Sequence, residues 1–221
     1  MTAPLVLDIE TVPLLSSLNA VYPEAERNPP ANYKSEEAIT KWRASDRERW
    51  TEGLANECSL NPRLGRVLCV GMELDGGGSV AYANAEYDEA RILTEFWEMA
   101  ARANGQVVTW NGSWDLRFLI IRSLAHGLTP SGPVRDWFRK YTTRPHFDCK
   151  AVLLNWDVKV SGEGLDEWAT FLGLGGKTDG MSGADVWPLF QKGEHGRIAD
   201  YCRQDVAATA AIYERIAPMF A

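Results

Sequence analysis

Hydrophobic positions recur along the chain with two periodicities. Alternating or short continuous apolar runs predict strands, and apolar residues at helical spacing predict helices. A short apolar run at residues 4–9 predicts a buried strand that Pro13 soon ends. Apolar residues at helical spacing predict a helix over residues 87–102. The same reasoning predicts further strands at 65–74, 79–84, 106–110 and 147–149, and further helices at 114–126, 165–172 and 198–216. Strands that first form a meander and later alternate with helices indicate an α/β domain with a mixed central sheet flanked by helices.

Residues 14–64 have a different pattern from the rest of the chain. The turn-rich segment NPPAN at 28–32 is followed by a charged helical pattern over residues 35–57, which begins at Ser35. We interpret this region as a mostly helical insertion, packed on the side of the core. The whole chain, 1–221, is then expected to form a single domain.

Two carboxylates stand at the end of the first predicted strand. Asp8 and Glu10 are two residues apart, so the alternation of a strand points both side chains to the same face. Two adjacent carboxylates repel each other unless a proton or a cation lies between them. Hard divalent cations prefer such oxygen ligands. An acidic turn that leaves a strand is the alternative explanation.

Three more polar residues are candidates for a chemical role. Tyr201 and Asp205 are four residues apart in the last predicted helix, which places both on one helical face. The side chains between them, Cys202 among these, are expected to face elsewhere. Asp115 lies in the first turn of a predicted helix, where an acidic residue also suits the helix dipole. The alternative explanation for Tyr201 and Asp205 is structural: the ring of Tyr201 packs against its neighbours and Asp205 is solvated.

Composition and charge narrow the possible functions. The chain has a net charge of −7 and a sequence pI of about 5.1. This balance argues against a dedicated high-affinity DNA-binding module, but it suits an enzyme whose carboxylates bind cations. The four cysteines contain no C-x-x-C pair, so we expect free thiols rather than a zinc site or disulfides. Without a signal-peptide pattern or a membrane-length apolar run, we expect a cytoplasmic protein with no membrane association.

Three segments carry a specific resemblance. LVLDIET at 5–11, TWNGSWD at 109–115 and YCRQD at 201–205 occur together in this order. They resemble the three exonuclease motifs of the DEDD superfamily, and most closely the family of predicted 3′→5′ exonucleases related to the exonuclease domain of family B DNA polymerases. The segments NPRLGRVLCVGM, HFDCK and GLDEWATFLGL extend the likeness over nearly the whole chain. The resemblance implies an RNase H-like fold and a metal-dependent 3′→5′ exonuclease of the tyrosine-bearing (DEDDy) subtype.

The resemblance also implies roles for individual residues. It makes four carboxylates the ligands of two Mg²⁺ or Mn²⁺ ions, whose charge would neutralise them; these are Asp8, Glu10, Asp115 and Asp205. Tyr201 would orient the attacking water or help to deprotonate it, and we favour orientation because the ordinary pKa of tyrosine is about 10. Asp148 is a candidate neighbour of the site rather than a ligand. The expected substrate is the 3′ end of single-stranded nucleic acid, DNA rather than RNA, and the expected products are nucleoside 5′-monophosphates.

Five residues are candidates for substrate binding. The ring of Trp114 would either pack in the core or stack on a terminal base. Thr11 would contact the terminal nucleotide or merely end the strand, and Asn111 would contact substrate or fix the turn in which it lies. Arg139 and Lys140 lie in a basic stretch that contains aromatic residues, which predicts a phosphate-tracking surface. The basic residues at 41–49 alternate with acids and are expected to form a solvated helix face.

Several alternatives stay open at this point. His195 and Asp200 have the spacing of the histidine subtype, although Gly196 and the loop-like residues before His195 favour the pair formed by Tyr201 and Asp205. The same fold could act as a catalytically silent accessory module or trim RNA 3′ ends. A phosphatase of the haloacid dehalogenase type is disfavoured, because Glu10 stands where a second Asp is required. Any proofreading would act in trans, beside a polymerase or repair protein.

Overall fold

A five-stranded mixed sheet forms the centre of the protein. The computed structural model describes residues 3–20, 22–23, 26–77, 80–81, 88–157, 164–175 and 180–220. The strands are β1 (Leu5–Pro13), β2 (Gly65–Glu73), β3 (Val80–Ala81), β4 (Val107–Thr109) and β5 (His146–Asp148). They lie in the order β3-β2-β1-β4-β5, with β1, β4 and β5 parallel and with β2 antiparallel to both of its neighbours. The predicted mixed sheet is therefore confirmed.

Eight α-helices are found in the described part of the chain. They are α1 (Glu36–Ser59), α2 (Glu89–Arg102), α3 (Gly112–Ala125), α4 (Val134–Trp137), α5 (Cys149–Leu153), α6 (Leu165–Phe171), α7 (Val186–Gln191) and α8 (His195–Phe220). Two 3₁₀ turns accompany them, at Leu15–Leu18 and Gly183–Asp185. Among the described residues, none of these helices combines the length and the apolar run that crossing a membrane requires.

Several element boundaries differ from the sequence predictions. The strand β1 continues past residue 9 to Pro13. The last helix begins earlier than predicted, because α8 starts at His195 and Gly196 occupies its first turn, where helical hydrogen bonding is incomplete in any case. The loop-like character predicted for the residues before His195 is confirmed, since 192–194 are not helical. The short helices α4, α5 and α7 were not predicted at all. Of the predicted strand at 79–84, residues 79 and 82–84 lie outside the described residues, as does the predicted helix start at residue 87.

The two faces of β1 carry different side chains and pack against different helices. Leu5 and Leu7 face a cluster built with Phe96 of α2 and Phe118 of α3. Val6 faces the opposite way and packs with residues of α8 and α6. Asp8 and Glu10 share the parity of Val6 along the strand, so they lie on the α8 side. The alternation of β1 therefore separates the main apolar core from the face that bears its carboxylates.

The region that the sequence treats as an insertion packs against β1 mainly through α1. Asp46 of α1 is buried and accepts hydrogen bonds from the Tyr22 hydroxyl and the Arg27 Nε, both at 2.5 Å. The ring of Tyr22 also stands edge-on to Trp50, with centroids 5.6 Å apart. These contacts fix the irregular segment before α1 onto that helix.

A buried ion pair joins the start of α2 to the end of α3. The Glu89 carboxylate accepts from Arg122 Nε at 2.9 Å and from Arg122 Nη2 at 2.6 Å. It also accepts from the backbone N–H of Val67 at 2.7 Å and lies 2.7 Å from His126 Nε2. Both oxygens of this carboxylate thus accept hydrogen bonds, which is the condition under which a buried charge is tolerated. The network connects α2, α3 and β2 on the side of the sheet opposite α8.

Candidate active site

Three potential ligand groups converge beside the middle of β1. Asp8 pairs with Gly71 of β2, and Glu10 pairs with Cys69, so both carboxylates project from the α8 face. The carboxylate oxygens of Asp8 and Glu10 and the thiol of Cys202 all lie within 4.8 Å of one another. Glu10 is buried and Asp8 is half-buried. Two carboxylates in so small a volume suit a hard divalent cation.

A glycine in β2 allows α8 to approach these carboxylates. A Cβ atom on Gly71 would lie 2.6 Å from Val206 Cγ2 and 2.9 Å from Cys202 Sγ, both closer than real contacts permit. Because Gly71 carries no side chain, α8 packs directly on the sheet at this point. The close packing brings Tyr201 and Asp205, both buried, into the same cleft as the carboxylates of β1.

Asp115 adds a further buried carboxylate from the first turn of α3. The residue is only 4% exposed. Burial is the main cause that raises the pKa of Asp115 well above its ordinary value. The negative charges of Asp8, Asp148 and Asp205 raise it further. Asp115 does not itself line the cleft, but its carboxyl group belongs to the same cluster of mutually repelling acids.

The phenol of Tyr201 lies among acids. Burial raises the pKa of Tyr201 far above its ordinary value. The negative charges of Glu10, Asp205 and Asp8 act in the same direction, as does a side-chain hydrogen bond with Asp205. The hydroxyl therefore stays protonated at neutral pH, and its one proton bonds to Asp205.

The carboxylate cleft, lined by Asp8, Glu10, Tyr201, Asp205 and the residues around them, has a volume of about 750 Å³. One wall is formed by α1, from Arg49 to Ser59, and another by Trp187 and Pro188 of α7. Arg49 thus borders the cleft as well as contacting Asp46, whereas the sequence placed it on a purely solvated face. A cleft open to solvent between two helices can admit an extended chain end.

Two of the residues predicted to bind substrate line this cleft and also make structural contacts. The hydroxyl of Thr11 donates to the backbone carbonyl of Ser59 at 2.8 Å, at a point where the register of β1 and β2 shifts. The indole N–H of Trp114 donates to the carbonyl of Leu60 at 3.3 Å, and its ring packs on Phe118 with centroids 5.4 Å apart. Trp114 is half-buried, so it both packs on the core and exposes part of its ring to the cleft.

The other three lie in a second cavity beside the first. This flanking cavity has a volume of about 520 Å³ and is lined by Asn111, Arg139 and Lys140 together with residues of β5, α5 and the turn after α5. Arg139 Nε contacts Asp136 at 3.1 Å, and both partners are exposed. The candidate phosphate-tracking residues therefore do not border the carboxylate cleft but the cavity next to it.

Two residues with positions at the site were missed or underestimated by sequence reasoning. The thiol of Cys202 lies 3.7 Å from Asp8 Oδ2 and 3.6 Å from the Asp8 carbonyl, so the expectation that it faces elsewhere was wrong. Its three-residue distance from Asp205 was a signal, because residues three apart share a helical face. The Asp148 carboxylate accepts from the N–H of Ala151 at 2.9 Å and from backbone N–H groups at the start of α3. Asp148 thereby positions the turn that precedes Asp115.

The alternative histidine pair lies elsewhere. The ring of His195 packs edge-on against Phe190, with centroids 5.6 Å apart. Asp200 is exposed and forms an ion pair with Arg203. Neither His195 nor Asp200 is among the described residues that line the carboxylate cleft.

The family of the chain follows from a comparison with protein-family models. A family model described as a predicted 3′-5′ exonuclease related to the exonuclease domain of PolB matches residues 68–221, which is more than half of the chain. The protein belongs to this family. The match includes Asp115, Tyr201 and Asp205 but begins after Asp8 and Glu10. No curated protein sequence matches the chain.

A solved structure is similar to the protein over nearly the whole chain. The family B DNA polymerase from the hyperthermophilic archaeon Pyrobaculum calidifontis is similar over 99% of this chain, with a TM-score of 0.63 and 14% sequence identity. The chain spans a quarter of the length of that polymerase, since the similarity covers 25% of it. Together with the strand order, this similarity confirms the predicted RNase H-like fold.

Proposed function

We propose that the protein is a divalent-cation-dependent 3′→5′ exonuclease of the DEDDy subtype that acts on single-stranded nucleic acid, DNA in preference to RNA. The observation that carries this proposal is the meeting of Asp8, Glu10, Asp205 and Tyr201 in one open cleft, with Asp115 buried beside it. Membership of a family of predicted 3′-5′ exonucleases supports the same conclusion. That relationship also makes a DNA polymerase or repair protein the partner that we propose for it in trans.

The residues present fit two divalent cations. Four carboxylates, of which Asp115 has a raised pKa because it is buried and because its acidic neighbours repel it, form a site that lacks only compensating positive charge. We propose that Asp8, Glu10, Asp115 and Asp205 hold the ions. Two bound Mg²⁺ or Mn²⁺ ions would supply an activated water and stabilisation of the leaving oxygen in an in-line displacement.

The residues of the chain itself hold and orient the reactants. The hydrolysis forms a bond between the water oxygen and phosphorus and breaks the bond between phosphorus and the 3′-oxygen of the preceding nucleotide. That oxygen takes up a proton, and the products are a nucleoside 5′-monophosphate and a strand shortened by one nucleotide. The hydroxyl of Tyr201, whose proton bonds to Asp205, accepts a hydrogen bond from the attacking water and so orients it, and the exposed part of Trp114 supports the terminal nucleotide.

Degradation of 5′-labelled oligonucleotides tests the proposal. We would incubate the protein with single-stranded DNA and with RNA of the same sequence, in Mg²⁺, Mn²⁺ or EDTA, beside an Asp8→Ala variant. A ladder that shortens from the 3′ end, and that EDTA and Asp8→Ala both abolish, is the expected result. Faster loss of the RNA would reverse the proposed preference for DNA. Absence of any ladder in both metals would contradict the exonuclease proposal and favour a non-catalytic accessory module.

The Tyr201→Phe variant should reduce kcat by about 100-fold while leaving KM nearly unchanged, because it removes only the hydroxyl that orients the water. Its ring would still fill the buried space beside Asp205. Single-turnover rates on DNA measure the effect. His195→Ala is the matched control and should retain full activity; the reverse pattern would transfer the role to the histidine pair.

A further inference from the structure

The flanking cavity is lined by aromatic rings that face solvent or one another. Phe138 lines the cavity and is 44% exposed. Trp156 lines the cavity and contacts Tyr141, with ring centroids 5.4 Å apart and planes tilted by 53°. Exposed aromatic surfaces beside a cavity offer stacking platforms for nucleic-acid bases, and such stacking tolerates any sequence.

The backbone around these rings is held in an uncommon conformation. Tyr141, Asn155 and Trp156 have φ values of 61°, 50° and 55°, in the left-handed region that bulky residues rarely adopt. They are three of the five non-glycine residues with positive φ among those described. Residues in sparsely populated conformations persist where the surroundings enforce them, and they cluster at binding sites. The concentration of such residues here indicates a cavity with a fixed shape.

Positive charge accompanies the rings. Arg139, Lys140 and Lys150 line the flanking cavity, and the carboxylates of Asp148 and Asp157 are the acids in the same lining. The carboxylate of Asp148 already accepts backbone N–H groups at the starts of α5 and α3, which offsets its charge. The cavity therefore combines apolar ring surfaces with cations, which are the features that bind a base and its phosphate.

A single helical turn separates the flanking cavity from the carboxylate cleft. Asn111 and Ser113 line the flanking cavity, whereas the adjacent Trp114 lines the cleft. Neighbouring Cα atoms are about 3.8 Å apart, so the partition between the two spaces is thin. A strand whose 3′-terminal nucleotide occupies the cleft can therefore reach across this turn.

We propose that the flanking cavity binds an upstream nucleotide of the same strand, with its base against Phe138 and Trp156 and its phosphate on Arg139, Lys140 and Lys150. This assignment rests on the proposed exonuclease function and extends it to a second nucleotide subsite. It makes the partition at 111–114 the element over which the strand bends. It also makes affinity for longer strands dependent on salt, since the phosphate contacts are ionic.

Comparing a mononucleotide ester with a longer strand tests the subsite. The p-nitrophenyl ester of thymidine 5′-monophosphate needs only the carboxylate cleft, whereas a single-stranded DNA decamer reaches both spaces. Phe138→Ala and, separately, Trp156→Ala should raise KM for the decamer by roughly 5- to 150-fold and leave hydrolysis of the ester unchanged. Phe171→Ala, which removes an exposed ring from α6, is the matched control and should change neither.

Charge reversal supplies an independent readout. Arg139→Glu with Lys140→Glu should weaken decamer binding and flatten its dependence on salt, whereas Arg102→Glu at the end of α2, outside the lining of the flanking cavity, should not. Binding is measured by fluorescence anisotropy in Ca²⁺. An equal loss on the ester and the decamer, or no loss on either, would overturn the subsite.

The source of the bound nucleotide and the proposed function are distinguished in the same assay. If Phe138→Ala weakens binding of thymidine 5′-monophosphate but not of the decamer, the cavity takes a free nucleotide, and the strand assignment is wrong. If the wild-type protein hydrolyses neither substrate, but Phe138→Ala binds the decamer more weakly than the wild-type protein does, the exonuclease proposal fails while the subsite stands.

Discussion

Replacing Asp115 with Asn should abolish hydrolysis and at the same time make the cation-free protein more resistant to unfolding. The activity should fall by at least about 1,000-fold, since a lost metal ligand removes several kcal/mol of transition-state stabilisation. The gain in stability follows from burial of a carboxyl group whose ionised form is repelled by Asp8, Asp148 and Asp205. An amide of the same shape has no such charge to bury.

The free energy of unfolding of the wild-type protein in EDTA should depend on pH for the same reason. Because the pKa of Asp115 is raised on folding, the folded state binds more protons than the unfolded state at pH values between the two pKa values. The contribution of Asp115 to stability should therefore fall as pH rises from about 4, the ordinary pKa of an aspartic acid, through the raised value. Urea unfolding at a series of pH values measures it, and Asp115→Asn should flatten the slope.

Two controls separate this effect from general damage. Asp200→Asn replaces an exposed carboxylate on α8 and should change neither activity nor the pH slope. Mg²⁺ should stabilise the wild-type protein against urea and should stabilise Asp115→Asn less, because fewer ligands bind it. An Asp115→Asn variant that is both inactive and less stable in EDTA would contradict the explanation by repulsion.

Replacing Glu89 with Gln should cost about 3–5 kcal/mol of unfolding free energy, because it leaves the buried Arg122 guanidinium without a counter-charge. Burial by itself opposes ionisation of Glu89, but hydrogen bonds from Arg122, His126 and the N–H of Val67 outweigh it and lower its pKa. Glu95→Gln, which breaks an exposed pair with Arg91 on the same helix, is the matched control and should cost at most about 0.5 kcal/mol. Equal effects of the two variants would show that burial of the pair does not matter.

Acid should remove the same stabilisation. A carboxyl group with a lowered pKa contributes fully above its unfolded pKa, and its contribution disappears as pH falls through the folded value. The loss for Glu89 should therefore begin below about pH 4.5 and should be missing in Glu89→Gln. The pKa of Glu89 is lowered and that of Asp115 is raised, so the two variants should change the pH dependence of the unfolding free energy in opposite directions.

Local sequence patterns sufficed for much of the fold. The alternation of β1 placed Asp8 and Glu10 on one face, and the four-residue spacing of Tyr201 and Asp205 placed them on one side of α8. Both are properties of a single element, which the chain encodes over a few residues. The meeting of these elements with Asp115 followed only from resemblance to a family, because periodicity does not specify which faces pack together.

What the sequence did not reveal depends on packing between distant segments. The approach of α8 to Gly71 and the contact of Cys202 with Asp8 arise from residues far apart in the chain. Short helices such as α4 and α5 have too few residues for a periodic signal. The flanking cavity is bounded by just these short elements and their turns, so its rings and cations could be noticed in the sequence but not assembled into one site.

The position of the carboxylates along the chain has a consequence for synthesis in the cell. Asp8 lies in the first strand and Asp205 in the last helix, and the two meet only when β1 has been covered by α8. A ribosome-bound chain therefore contains two of the four proposed ligand carboxylates, Asp8 and Glu10, long before Asp205 has been added. Under the proposed function, a nascent or truncated chain binds no complete pair of ions, and nuclease activity is withheld until translation has passed residue 205 and the last helix has docked.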